Sequence, residues 1–168
     1  LIEPSFTSYL EILKVIFMTF IIATLVRTRE EIIGLLWMIV LSIGFYGVKG
    51  GLFTLLTGGA HRVWGPPTSV VNGNNELAVA LTMIVPLLYF LAQHVSLVSH
   101  GRLSTVRWQR VIKLGTIVAM VLCAIAALGS QSRGALLAMI GMLSVLWWRS
   151  DKKIPLTVAL IMVVPLIL

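Results

Sequence analysis

Long apolar runs alternate with short polar segments along this 168-residue chain. Long apolar runs predict membrane-spanning helices, because a hydrocarbon core of about 30 Å is crossed by roughly 20 helical residues that rise about 1.5 Å each. The predicted spans cover residues 9–26, 32–48, 76–98, 111–128, 135–148 and 154–168. The fifth of these, 135–148, is short and is expected to gain length from the preceding polar segment, 130–134. We therefore expect an all-α polytopic membrane protein with six transmembrane helices.

The composition also favours a bilayer as the solvent. Hydrophobic residues make up 58% of the chain and charged residues 11%, and a soluble domain of this size cannot bury so much apolar surface. The chain begins at Leu1 without an initiator Met, no signal-peptide pattern precedes the first run, and the last run is apolar to its final residue. We expect a single membrane domain over residues 1–168 that is a fragment of a longer protein.

The basic residues predict the orientation of the spans. Nine of the 13 Lys and Arg residues fall in segments that lie on one side if the spans alternate. Because cytoplasmic loops are enriched in Lys and Arg, the segments RTREE, SHGRLSTVRWQR and RSDKK are predicted to be cytoplasmic. The formal net charge of +7 is then explained by topology and by contact with anionic lipid headgroups, and nucleic acid is not an expected partner.

The opposite side is expected to hold two polar segments. One is a loop over residues 49–75 that contains GGAHRVWGPP, and the other is the short connection GSQSRG, residues 129–134. Structural roles are available for several of their side chains: Lys49 as an anchor at a helix end, His61 as a solvated loop residue, and Asn74 or Asn75 as the N-cap of a helix.

Arg133 is harder to assign to a structural role. It lies between two apolar runs, at the predicted membrane boundary, where an arginine costs free energy unless it reaches the interface, pairs or lines a polar cavity. Guanidinium makes bidentate contacts with phosphate. Two hypotheses follow: Arg133 anchors its helix at the interface, or it binds the phosphate groups of a lipid-linked substrate.

Two stretches of sequence resemble a known family. SRGALLA, residues 132–138, resembles the Ser-Arg-Gly motif of the O-antigen ligase and polymerase superfamily, which lies at the outer end of a membrane helix. FYGVKGGLFTLLTGGAHRVWGPP, followed by GNNELAVALTMIVPLL, is similar to a narrower branch, the O-glycosylation ligases associated with exosortase systems in Gram-negative bacteria. The resemblance extends from about Arg27 to the C-terminus and departs from the family pattern at TSVVNGNNE, residues 68–76.

The resemblance implies a fragment of a multi-helix membrane glycosyltransferase in the bacterial inner (cytoplasmic) membrane. Such an enzyme takes a glycan from undecaprenyl diphosphate on the periplasmic side and joins it to an acceptor hydroxyl, without a metal or a cofactor. We expect Arg133, Arg62 and Lys49 to bind the diphosphate, with His61 and Trp64 as further substrate contacts. The superfamily's base histidine belongs to a large loop nearer the C-terminus, so the catalytic base is expected outside this chain.

Several alternatives remain open at the level of sequence. An O-antigen or exopolysaccharide polymerase of the same superfamily would differ from a ligase only in its acceptor, and that acceptor could be a protein, a glycolipid or a glycan chain. A transporter or flippase of lipid-linked glycans would also require outward-facing cations, although transporters often show internal repeats and none is found here. In a non-catalytic membrane scaffold, Arg133 would only anchor its helix.

Overall fold

The described part of the chain is mainly helical. A computed structural model describes residues 3–67, 69, 71–94 and 106–149, and these residues contain no β-strand. The all-α prediction is therefore confirmed for this part of the chain, as expected where backbone groups cannot hydrogen-bond to lipid. The described residues form five helices: α1 (Glu3–Leu25), α2 (Arg29–Leu56), α3 (Asn74–Gln93), α4 (Val106–Gly129) and α5 (Arg133–Arg149).

Three of these helices, α2, α3 and α4, are long and apolar enough to cross a membrane. The apolar stretches Ile12–Leu25 and Arg133–Trp148, which correspond to the first and fifth predicted spans, are shorter. The prediction of six spans is therefore corrected to three within the described residues, and the sixth span, 154–168, lies outside them. The fifth span gains only residues 133 and 134 from its polar flank, because residues 130–132 form a turn and α5 begins at Arg133.

The second helix extends further than its sequence pattern indicates. The predicted span ends at residue 48, where a lysine and two glycines follow, but α2 continues to Leu56. Lys49 therefore lies within a helix, with its side chain exposed. The connection to α3 covers residues 57–73. The predicted loop over 49–75 is therefore wrong in both bounds, because its first eight and its last two residues are helical.

Glycines explain why α2 continues through this segment. A Cβ atom on Gly51 would overlap the backbone carbonyl of Leu122 in α4, and a Cβ on Gly47 would overlap the side chain of Cys123. Farther along the contact, a Cβ on Gly129 of α4 would overlap Thr54 of α2. Small residues of this kind let two helix backbones approach closely, which is a common form of helix association in membranes. The glycines are therefore packing residues and do not end the helix.

The chain divides into two compact units, residues 1–36 and residues 37–168. In the first unit, Thr28 and Glu31 form a capping box at the start of α2. The Glu31 backbone N–H donates to the Thr28 hydroxyl at 3.3 Å, and the Glu31 carboxylate accepts from the backbone N–H groups of Arg27 and Thr28 at 2.9 and 3.0 Å. These reciprocal bonds satisfy N–H groups that a helix start leaves without partners.

In the second unit, α3 packs against α4 and α5. One face of α3 is buried, whereas Val79, Met83 and Phe90 are exposed on its other side. Apolar residues on an outward surface are the expected pattern for a helix in contact with lipid. The buried face is formed by residues at helical spacing, Leu77, Leu81, Ile84, Leu88 and Leu91.

Candidate anion site at two helix N-termini

Two connections meet at one end of the second unit, the α2–α3 connection (57–73) and the α4–α5 connection (130–132). The Asn74 side-chain amide donates to the Ser130 carbonyl at 3.0 Å. The backbone N–H of Val63 donates to the Gly129 carbonyl at 3.3 Å. Segments that are distant in sequence are therefore joined by hydrogen bonds, as expected if α3 and α4 bring both connections to the same end.

The α2–α3 connection begins with a glycine-dependent helix end. Gly58 and Gly59 have φ values of +61° and +78°, a region that glycine adopts without a Cβ penalty. The Gly58 N–H donates to the Leu55 carbonyl at 3.4 Å, and the Gly59 N–H donates to the Thr54 carbonyl at 2.9 Å. This is a Schellman motif, and it turns the chain sharply after Leu56. Gly58 and Gly59 are therefore the turn residues at the end of α2.

The rest of this connection folds back on itself. The Gly65 N–H donates to the Asn72 carbonyl at 3.0 Å, and a Cβ atom on Gly65 would overlap the Val71 carbonyl. Val63 is buried and its side chain lies against Gly50. One apolar side chain therefore fixes the segment to the helices, while its neighbours His61, Arg62 and Trp64 remain exposed.

The start of α3 differs from its prediction. Gly73, in an extended conformation, is the N-cap residue, so the expectation that Asn74 or Asn75 would cap the helix is wrong. The Asn74 amide is instead used in the bond to Ser130. Glu76 lies in the first turn, and its carboxylate lies against Gly73. A carboxylate at this position offsets the partial positive charge of the α3 N-terminus.

The start of α5 is capped by Ser132. Its hydroxyl accepts from the backbone N–H of Ala135 at 3.3 Å, which is the usual geometry of a serine N-cap. Arg133 is thus the first residue of the helix, and its side chain is exposed. The preceding Ser130 is buried and donates to the Ala127 carbonyl at 2.7 Å. The turn before α5 is therefore held at both of its ends by serine hydrogen bonds to the adjoining helices, and the Ser130 carbonyl also accepts from Asn74.

A cavity of about 500 Å³ opens between these two helix starts. Both Arg62 and Arg133 line this cavity. They are two of the three basic residues that were predicted to bind the diphosphate. The lining residues come from the α2–α3 connection, the α4–α5 connection, the first two turns of α3 and the first turn of α5. They are Arg62, Asn74, Asn75, Val79, Gln131, Ser132, Arg133 and Gly134.

The other predicted site residues do not line this cavity. Lys49 is on the exposed surface of α2. The His61 ring lies 6.4 Å, between ring centres, from Phe53, and Trp64 is 66% exposed. Their predicted roles as substrate contacts stay predictions. Conversely, Gln131 lines the cavity although it was not predicted as a site residue, and its only signal was its position directly before the SRGALLA motif. Ser132, the first residue of that motif, lines the cavity as well.

The charges around the cavity favour anion binding at the N-terminus of α5 over binding at the N-terminus of α3. The first turn of α5 contains no acidic residue, whereas the first turn of α3 contains Glu76. An arginine at a helix N-terminus is unfavourable by about 0.3–1 kcal/mol, because the N-terminus carries a partial positive charge of roughly half an elementary charge. No carboxylate pairs with Arg133 within the described residues. Positive charge therefore accumulates where a bound anion would neutralise it.

This arrangement can bind an anion through guanidinium groups and helix N–H groups. The described residues contain no group of three or more His, Cys, Asp or Glu side chains that could hold a metal ion. The chain is thus a helical protein with membrane-length apolar helices and a cationic cavity at one end of its second unit.

Comparison with known families places the chain more narrowly. It belongs to the family described as "Family of unknown function (DUF5935)", whose model matches residues 3–96, more than half of the chain. No curated protein and no solved structure matches the chain. The matched region includes Arg62 and the start of α3 and ends before α4, so that Arg133 and Gln131 lie beyond it.

Proposed function

We propose that this chain is part of a membrane glycan ligase. The enzyme transfers a glycan from undecaprenyl diphosphate to an acceptor hydroxyl at the periplasmic face of the bacterial inner membrane. One observation carries the proposal: Arg62 and Arg133 line the same cavity, at the N-terminus of a helix without acidic residues in its first turn. The sequence resemblance of the SRGALLA and FYGVKGG stretches supplies the substrate class.

The chemistry of transfer requires such a cavity. The acceptor oxygen forms a bond to the anomeric carbon of the glycan while the bond from that carbon to the diphosphate oxygen breaks. Negative charge then develops on the leaving diphosphate, and the acceptor proton passes to a base. Preorganised cations at the leaving group stabilise this charge in the transition state. Arg133 and Arg62 take this role in the proposal, and the base comes from outside the described residues.

The walls of the cavity also suit a lipid-linked donor. A volume of about 500 Å³ lies within the range of small-molecule sites, roughly 300–1,000 Å³. Val79, which is 43% exposed, adds an apolar wall on the outward side of α3. The diphosphate would occupy the polar part of the cavity, with the polyprenyl chain passing along the apolar helix surface into the bilayer.

The proposal is tested by a transfer reaction in detergent. The full-length protein is purified and mixed with lipid-linked glycans extracted from cells that lack it, together with membranes that contain the acceptor. We expect release of undecaprenyl diphosphate together with a glycosylated protein. A longer lipid-linked glycan would instead identify a polymerase. Because detergent removes the barrier that a flippase works across, the absence of any covalent product would contradict the ligase and favour transport or scaffolding.

A further inference from the structure

Gln131 occupies an unfavourable backbone conformation beside the cavity. Its φ of +53° lies in the left-handed region, and among the described residues no other non-glycine residue has a positive φ. Glycine adopts this region freely, whereas a Cβ atom makes it costly. The position would therefore suit glycine better on backbone grounds, and the side chain of Gln131 must contribute something that glycine cannot.

The side chain uses both ends of its amide. Its Oε1 accepts a hydrogen bond from Nε of Arg62 at 3.3 Å, and its Nε2 donates to the carbonyl of Gly59 at 3.1 Å. Arginine only donates and a carbonyl only accepts, so only this orientation of the amide satisfies both partners. Gln131, in the α4–α5 connection, therefore forms hydrogen bonds with two residues of the α2–α3 connection.

The bond to Arg62 determines how its guanidinium can act. Nε donates to Gln131, and the two terminal nitrogens make no hydrogen bond to another described residue, so that their donors can contact a ligand in the cavity. Arg62 is exposed on a connection between helices, where an unheld side chain would lose more conformational entropy on binding. A preformed contact reduces that loss.

We propose that Gln131 is a positioning residue that holds Arg62 at the cavity beside Arg133, so that the two guanidinium groups bind one anionic ligand together. The identity of the ligand, a lipid-linked diphosphate, rests on the proposed function. The positioning itself does not, because it concerns only contacts within the chain.

Gln131→Gly tests the proposal, since it removes the amide while relieving the backbone. In the full-length protein in detergent micelles, we expect faster hydrogen–deuterium exchange across residues 57–65, which include Arg62 and Gly59. Exchange across residues 77–92 of α3 should not change, and thermal stability should be kept or raised. Unchanged exchange across 57–65 would overturn the proposal.

Activity provides the second measurement. We expect Gln131→Gly to lower the rate of glycan transfer by about three- to tenfold, as for the loss of one typical intramolecular hydrogen bond at an exposed position. In an Arg62→Ala background the same substitution should have no further effect, because Gln131 acts through Arg62. Equal losses in both backgrounds would overturn the proposal. Faster exchange with transfer unaffected by either substitution would leave the positioning intact and contradict the proposed function.

Discussion

The Asn74 side-chain amide donates a hydrogen bond to the Ser130 carbonyl at 3.0 Å and joins the first turn of α3 to the turn before α5. Both residues lie next to the cationic cavity, and Asn74 is one of its lining residues. The bond therefore sets the separation of the two helix starts between which the cavity opens. Ser130 is buried, so its carbonyl would lose a partner that water could not readily replace.

Asn74→Ala should lower the free energy of unfolding by about 1 kcal/mol, because a partly buried hydrogen bond is lost. For the second unit, this corresponds to a fall in melting temperature of roughly 2–8 °C in detergent-solubilised protein. Asn75→Ala is the matched control. Asn75 lines the same cavity but makes no side-chain hydrogen bond within the described residues, so its melting temperature should stay close to wild type. Equal melting temperatures for the two variants would contradict the role given to Asn74.

Gly51→Ala should destabilise the contact between α2 and α4. The added Cβ atom would overlap the Leu122 carbonyl, which is backbone and cannot move aside as a side chain can. Overpacking of this kind costs about 1–3 kcal/mol. Gly44→Ala, seven residues earlier on the same helix, is the control because a Cβ there meets nothing within 4 Å. If Gly51→Ala lowered the melting temperature no more than Gly44→Ala does, the close approach of the two backbones would be contradicted.

The helices were largely predictable from sequence, whereas their ends were not. Long apolar runs indicated where α2, α3 and α4 lie, because apolarity over about 20 residues is a local property. The end of α2 was missed because Gly50 and Gly51 resemble a helix break when considered alone. The role of Gly51 depends on Leu122 in α4 and that of Gly50 on Val63 and Ala126, and no local pattern reveals these contacts. Lys49 belongs to the same helical segment.

The candidate site was predictable in part. Alternating spans placed the connections that contain Arg62 and Arg133 on one side, and the cavity does bring these two residues together. Gln131 was missed because a single amide between two serines has no distinctive sequence signal. Its significance comes from its φ and its two hydrogen bonds, which are tertiary features. Asn74 was assigned to helix capping because its partner, Ser130, is distant in sequence.

Topology can be tested by labelling single cysteines in a Cys123→Ala background. The predicted orientation places a cysteine introduced by Ala60→Cys at the periplasmic face. It places one introduced by Arg110→Cys, at an exposed position of α4, towards the cytoplasm. An impermeant thiol reagent added to the periplasmic side of intact cells should therefore modify position 60 and leave position 110 unmodified until the membrane is disrupted. The reverse pattern would place the cavity in the cytoplasm and exclude a periplasmic diphosphate site.

Arg133→Gln should increase stability while reducing function. The substitution removes a cation from the α5 N-terminus, where it is unfavourable by about 0.3–1 kcal/mol, and glutamine has a helix propensity similar to arginine. We expect a melting temperature that is equal to wild type or up to a few degrees higher. An arginine that only anchors its helix at the interface would instead give lower stability or poorer membrane insertion when it is replaced. Thermal unfolding and membrane abundance distinguish the two.

The central claim is that the guanidinium of Arg133 binds the diphosphate of the donor, and Arg133→Lys tests it most directly. Lysine keeps the charge but loses the planar fork that contacts phosphate in a bidentate manner. In the full-length protein, we predict a fall in glycan transfer of roughly ten- to a hundredfold, normalised to membrane abundance, corresponding to about 1.5–3 kcal/mol. Arg110→Lys, on the exposed surface of α4 and outside the cavity lining, should retain wild-type transfer. Wild-type transfer by Arg133→Lys would contradict the account, because an interfacial anchor needs only a long side chain and a charge.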